Sequence, residues 1–289
     1  MTVPLLVTGA TGNVGAPLVA ALVRAGVPVR AAARHPAPPI DPLVQPVRLD
    51  FTDPATFDAA FTGVETMFLV RPPALAHPRR DLLPALAHAA DLGLRHVVFL
   101  SVQGVERLRF VPHARIEEWL RSSGLHWTFL RASFFDQNLI SVHGPAIRER
   151  SQLVMPAGRG RTAFVDAHDV AAVAAQAMLE PAAHQERAWT LTGAEALTYG
   201  EVAGIMTAVL DRPIRYAQPG LVRYLIRARR ELRMPAEMIA TTAAVYTTAR
   251  LGLAAGLTGE VQQILGRPPT TMTAFVRRER AAFVGPAGS

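Results

Sequence analysis

The run Thr8-Gly9-Ala10-Thr11-Gly12-Asn13-Val14-Gly15 follows a short apolar segment, Val3 to Val7, and leads into a helical pattern that continues to Arg24. Its glycines fall where a phosphate group needs them. Gly9 lets the chain leave a strand sharply, Gly12 clears a side chain from the path of a pyrophosphate, and Gly15 lets a helix pack close to a sheet. The helix N-terminus then offers free backbone N–H groups and a partial positive charge to the anion. Glycine-rich turns are common, so the string gains its meaning from the readable strand before it and the helix after it. Together they read as a dinucleotide-phosphate loop; the bland alternative is a tight turn that binds nothing.

A second residue with a chemical reading is Arg34, at the end of the apolar run Val29 to Ala33. Sheets that prefer NAD usually carry an acidic residue there for the ribose hydroxyls, whereas a guanidinium fork suits a 2'-phosphate. NADPH is therefore the favoured cofactor, with NADH the second choice. The competing reading is an exposed loop arginine in an arginine-rich chain.

Other chemistries are excluded by what the chain lacks. The 30 basic residues are all arginine, and there is no cysteine, so disulfides, thiolate nucleophiles and Cys-ligated zinc are absent. The 9 histidines are scattered, with no pair spaced to put two ligands on one helix face, and no metal site is expected. The net charge of +7 is spread along the chain, so no nucleic-acid partner is expected. One cluster stands out: Arg223, Arg227, Arg229, Arg230 and Arg233 fall on one predicted helix, either a solvated face or an attractor for an anionic partner. The start lacks the basic region of a signal peptide, and no stretch approaches the roughly eighteen apolar residues of a membrane span. A cytoplasmic protein without a membrane partner, monomer or homodimer, is the expectation.

The elements that must position these residues alternate. Strands are predicted at Val29 to Ala33, Val47 to Leu49, Thr66 to Val70, His96 to Leu100 and Thr128 to Leu130, after the first at Val3 to Val7. Helical patterns lie between them at Ala16 to Ala25, Pro54 to Phe61, Asp81 to Leu92 and His113 to Ser122, with Asp53 as an N-cap. This is the pattern of an α/β protein with a doubly wound parallel sheet. Thr162 to Val165 and Trp189 to Thr192 are expected to return to that sheet, and Asp169 to cap a helix over Val170 to Leu179. The division follows: residues 1–131 and 160–192 form a Rossmann-type domain, and 132–159 with 193–289 a smaller, mainly helical substrate lobe. Leu221 to Leu253, broken by Pro235 and Gly252, is predicted to be a helical lid.

Enough residues now stand to support a resemblance. The opening loop, Arg34, Leu100-Ser101, His113 to Glu117 with Ser123-Gly124-Leu125, Trp127 to Arg131, Phe134 and Asn138 look like the NmrA-like atypical short-chain dehydrogenases. Asp166-Ala-His-Asp-Val-Ala, Leu191 to Tyr199 and Leu265-Gly-Arg-Pro-Pro continue the order, so the similarity covers nearly the whole chain. The resemblance implies a Rossmann-type NADP(H) domain plus a substrate lobe. Members include quinone and dye reductases, atypical ketoreductases of aromatic natural products, and redox-sensing regulators without turnover. Carried over, Gly9, Thr11, Gly12, Asn13 and Val14 would line the pyrophosphate, Arg34 the 2'-phosphate, and Asp50 the adenine. Val70, Arg71 and Pro72 would flank the nicotinamide ribose, with Ser101, Ala132, Ser133 and Phe134 near the ring. His113 and Glu117 match a His-x-x-x-Glu pattern of the quinone and dye reductases. That imidazole, near neutral pKa, could shuttle a proton, or could only pack at a helix start.

Most short-chain dehydrogenases protonate a substrate oxygen with a tyrosine assisted by a nearby lysine. This chain has no lysine, and its 4 tyrosines (Tyr199, Tyr216, Tyr224, Tyr246) all lie late. A quinone or extended aromatic ketone relieves the need, because its ring system spreads the arriving charge and lets water supply the proton. Orientation then carries the rate, about 7–11 kcal/mol in the best cases. Ser101 could add a hydrogen bond to the carbonyl oxygen, or merely satisfy a strand end. A small, flat, apolar aromatic substrate is expected, against Phe134, Phe135, Asn138, Met155, Tyr224, Met234, Met238 and Tyr246, although Met and aromatic residues at such spacing also build cores. The leading reading is an NADPH-dependent ketone or quinone reductase, possible in natural-product tailoring. The alternatives are an NADP(H)-sensing interaction protein without turnover and a nucleotide-sugar isomerase or epimerase.

Overall fold

A computed structural model describes residues 3–39, 41–109, 111–230, 239, 243 and 246–284, without the side chains at 227 and 228. The chain divides into two compact units: Met1–Ala132, Ala167–Leu191 and Glu260–Arg267 in the first, and Ser133–Asp166, Thr192–Gly259 and Pro268–Ser289 in the second.

The first unit is built on parallel strands β1 (Leu5–Thr8), β2 (Val29–Ala33), β3 (Val44–Arg48), β4 (Thr66–Val70), β5 (His96–Val102) and β6 (His126–Ala132), with Arg187–Leu191 at one edge. The order across the sheet is Arg187–Leu191, β6, β5, β4, β1, β2, β3. The chain thus starts in the middle, builds one way to β3, then crosses back and builds the other way. That reversal is the doubly wound α/β arrangement, and it leaves a crevice at the carboxyl ends of the central strands. Central strands are buried on both sides and read as continuous apolar runs, because helices cover both faces. Helices Gly15–Arg24 and Ala167–Leu179 pack together. Helices Phe57–Phe61, Leu83–Asp91 and Pro112–Ser122 contribute to a core around Phe61, Phe99 and Phe129. Each such fully buried phenylalanine contributes roughly 1.5–3 kcal/mol.

Several local readings change. The third strand starts at Val44, earlier than predicted, and carries Pro46; as an edge strand it tolerates a residue with no N–H to give. The predicted helix Asp81 to Leu92 is two pieces, Pro78–Asp81 and Leu83–Asp91, broken at Leu82, whose φ of -131 leaves the helical region. Asp53 does cap its short helix, accepting from the Ala55 N–H. Asp169 is not an N-cap: it lies inside helix Ala167–Leu179, buried and ion-paired to Arg267 at 2.7 Å. A carboxylate in that first turn also suits the helix dipole. Trp189 to Leu191 does return to the sheet, alongside β6.

The segment around Thr162 to Val165 does not. Strand Arg161–Val165 belongs to the second unit, where it pairs antiparallel with Ala196–Thr198 and parallel with Phe134–Phe135. A separate two-stranded pair joins Gln152–Val154 to Arg215–Ala217. The core of this unit gathers Met155, Phe164, Tyr199, Met206, Tyr246 and Phe275. Helix Tyr199–Leu210 opens with a capping box between Thr198 and Glu201. Of the predicted lid, helix Leu221–Arg230 is present and carries Arg223, Arg229 and Arg230; Arg233 and Pro235 lie outside the described residues, as does the side chain of Arg227. No helix among the described residues is long and apolar enough to cross a membrane.

Candidate active site

The glycine loop leaves β1 directly. Gly9 takes a φ of 60, a conformation that costs other residues strain. A Cβ on Gly15 would lie 2.1 Å from the Gly9 carbonyl oxygen and 2.9 Å from the Ala10 Cα, backbone atoms that cannot step aside. At Gly12 the same oxygen would stand 3.2 Å away. The first helical turn therefore sits against the end of β1 at a distance only glycine permits. Thr8 closes the base: its hydroxyl donates to the Phe68 carbonyl at 3.0 Å and accepts from the Val70 N–H at 2.9 Å, locking β1 to β4. Thr11, Gly12 and Asn13 remain exposed, whereas the Val14 side chain is buried.

Arg34 is exposed just past β2. It lies near Asp50, whose carboxyl is held below its usual range first by the Thr52 N–H and hydroxyl, with Arg34 and Arg48 adding to the effect. The Asp50 oxygen accepts from these two Thr52 groups at 2.9 and 2.7 Å. The ends of β2 and β3 thus bring one exposed cation near a carboxylate already engaged by its own loop.

Past β4, Arg71 folds back on its loop, one guanidinium nitrogen donating to the carbonyls of Pro72, Pro73 and Leu75 at 2.9, 3.1 and 3.0 Å. Its Nε is buried with no hydrogen-bond partner among the described residues, and burial lowers the pKa of the group. His113, second residue of helix Pro112–Ser122, stacks on Phe99 with ring centroids 5.9 Å apart. Burial, then the charge of Arg71, push its pKa down to about 3. Such an imidazole is neutral at pH 7, which departs from a near-neutral proton shuttle. It can offer a hydrogen bond, but it holds no second proton to release.

Ser101 and Arg131 are register partners on β5 and β6. Glu117, on the helix covering that face, reaches both. The Ser101 hydroxyl donates to Glu117 Oε1 at 2.7 Å; Arg131 donates to both carboxylate oxygens at 3.1 and 2.8 Å, and Arg121 adds a bond at 3.0 Å. Glu117 and Ser101 are each only 2% exposed. The single proton of Ser101 is thus spent on Glu117, and offering it to a substrate oxygen would mean breaking that bond. The sequence marks Glu117 and Arg131 only as parts of a family pattern. That they meet depends on a strand register and a helix packing that no local spacing encodes.

Ala132 is buried at the end of β6. Of the residues carried over from the second unit, Ser133, Phe134, Phe135 and Asn138 are half-buried. Phe134 packs edge-on against Phe164 at 5.7 Å and Tyr199 at 6.5 Å. Met155 and Tyr224 are buried in the hydrophobic cluster of the second unit, 0% and 4% exposed. Tyr246 joins Tyr224 edge-on, and its hydroxyl meets His143 Nε2 at 3.1 Å. Burial raises the pKa of Tyr199, Tyr216 and Tyr246. Met234 and Met238 lie outside the described residues.

Residues 1–246 match the NmrA-like family. The chain is 33% identical to an NAD(P)H azoreductase of Xenophilus azovorans, over 96% of this chain and 99% of that protein. It is 34% identical to a (4-alkanoyl-5-oxo-2,5-dihydrofuran-3-yl)methyl phosphate reductase of Streptomyces griseus, again over 96% and 99%. Among solved structures, an NADPH-dependent quinone oxidoreductase of Escherichia coli complexed with NADPH superposes with a TM-score of 0.80 at 23% identity, covering 95% of this chain and 99% of that one.

Proposed function

The chain belongs to the NmrA-like family, and from that premise we propose that it is an NADPH-dependent reductase of a conjugated, electron-poor acceptor, an aromatic or polycyclic ketone or a quinone, that works without a tyrosine acid. The observation that carries the reading is the glycine cradle, where a Cβ on Gly15 would stand 2.1 Å from the Gly9 oxygen. The residues present suit a dinucleotide: exposed loop residues at a helix start, an exposed guanidinium at Arg34, and on Arg71 a buried donor that has no hydrogen-bond partner among the described residues. Gly9, Thr11, Gly12, Asn13 and Val14 would line the pyrophosphate, Gly12 by leaving room for it, since its own N–H donates to the Gly9 carbonyl at 2.9 Å, and the helix start by its N–H groups. Arg34 would grip a 2'-phosphate and Asp50 lie by the adenine. Val70, Arg71 and Pro72 would flank the nicotinamide ribose, and Ala132, Ser133 and Phe134 the ring. When bound, the reduced coenzyme supplies a hydride. Ser101, joined to Glu117, and neutral His113 position rather than protonate, and water returns the proton to a delocalised anion. Relatives named for an azo bond and an oxo-dihydrofuran support a conjugated acceptor. A tailoring step in natural-product biosynthesis is part of the same proposal.

Calorimetry with NADPH and NADH tests the cofactor. Substrate-dependent loss of NADPH absorbance, with deuterium from labelled coenzyme recovered in the product, tests the reaction. Failure to take up either coenzyme overturns the reading; uptake without turnover across quinones, azo compounds and polycyclic ketones leaves a coenzyme-sensing protein instead.

A further inference from the structure

A cleft of about 500 Å³ opens in the first unit, lined among the described residues by His77, Arg79, Arg80 and Arg115 and by no acidic side chain. Ala76, Pro78 and Pro112 supply its apolar walls. The cleft adjoins the residues assigned to the nicotinamide end by chain continuity on two sides. Ala76 follows Leu75, whose carbonyl Arg71 holds, and Pro112 precedes His113, which feels the charge of Arg71.

The cations are not equivalent. Arg80 is engaged twice by Asp81, with contacts of 2.5 and 3.0 Å, so its charge is already answered. Arg115 holds Glu118 at 3.2 Å in an exposed pair one helical turn apart, an arrangement that costs little to exchange for another anion. Arg79 is exposed and, among the described residues, carries no ion pair. One unanswered guanidinium and one that can be redirected flank walls of proline and alanine. That is a site for an oxyanion attached to a flat apolar body, since guanidinium forks match such groups with two parallel hydrogen bonds.

We infer that this cleft holds an anionic substituent of the substrate, a phosphate, sulfonate or carboxylate, through Arg79 and Arg115 while the reducible part extends toward the coenzyme. The inference rests on the reductase reading and narrows its substrate class. Its test uses the full chain and two matched pairs: naphthoquinone with its sulfonate for turnover, and naphthalene with naphthalene sulfonate for binding. In the double variant R79A/R115A the Kd of naphthalene sulfonate, measured by equilibrium dialysis with and without NADPH, should rise about tenfold. The ratio of kcat/KM for the sulfonated over the plain quinone should fall by a similar factor, through KM. R79K should recover only part of the loss, because an ammonium lacks the fork. Sulfonate affinity should weaken as salt is raised. An unchanged ratio and unchanged sulfonate affinity, in protein that still binds NADPH, overturn the inference alone; so does competition between the sulfonate and NADPH, which would make the cleft part of the coenzyme site. Loss of NADPH binding in the unaltered protein would overturn the reductase reading instead.

Discussion

Two regions at the carboxyl ends of the same sheet handle polar groups in opposite ways. Around the glycine loop, Thr11, Gly12, Asn13 and Arg34 are exposed, so polar groups there face water, apart from the Gly12 N–H, which donates to the Gly9 carbonyl at 2.9 Å. Around Glu117, both carboxylate oxygens and the Ser101 hydroxyl are engaged from β5, β6 and one helix, in a place almost closed to water. A binding surface keeps donors unmet; a structural polar cluster must meet them all, because a buried charge without a partner is costly. The first region is built to accept a ligand and the second to hold β5, β6 and helix Pro112–Ser122 in register.

Removing the carboxylate should have the largest effect. Glu117→Ala leaves Arg131 with only the longer contact to Glu106 at 3.5 Å, while Arg121 is exposed enough to be solvated, and should cost about 3 kcal/mol in urea unfolding. The folded fraction should still bind NADPH; if stability is untouched, the cluster is not the strut described here. Acid should act next. Burial lowers His96 to about 4 and His143 to about 4, so both are neutral when folded and protonate more readily when unfolded. The stability they confer is full above the ordinary histidine pKa of about 6.5 and is lost as pH falls from there toward 4. A melting temperature flat across that window would contradict their buried placement. Gly15→Ala should then separate the regions: backbone must shift to admit the Cβ, costing about 1–3 kcal/mol and weakening NADPH at least about tenfold by calorimetry.

Arg34→Ala should leave stability alone and lower the preference for NADPH over NADH by about tenfold, the worth of a charge-assisted hydrogen bond; an unaltered preference would move the 2'-phosphate elsewhere. The smallest effect should come from Ser101→Ala, about 1 kcal/mol of stability for one lost hydrogen bond. A larger fall in kcat than in stability would show that Ser101 turns its proton from Glu117 toward the substrate during the reaction.

Legibility followed locality. β4 occurs as read because its apolar run is bounded by turn residues and its central residues are buried on both faces, and β2 occurs as read although only Val29 and Ala32 of it are buried. β3 was misplaced at its start because an edge strand is only half-buried and Pro46 interrupts its pattern. The short apolar run around Phe164 identified a strand but not its sheet, since a local run does not report which neighbour pairs. The same limit applies to Met155 and Tyr224, buried among apolar neighbours that the sequence does not identify.

By itself, the order of residues determined that a glycine-rich turn joins the first strand to the first helix, and the structure gives the reason for two of its glycines, a left-handed φ at Gly9 and a close backbone approach at Gly15. It also determined that no tyrosine–lysine acid pair exists. Tertiary structure alone decided that Ser101, Glu117 and Arg131 converge, that burial and the charge of Arg71 lower the pKa of His113, and that Arg79 and Arg115 face one cleft. Those properties arise from desolvation and from charges brought together across strand register and helix packing, and neither is visible in a string of neighbours.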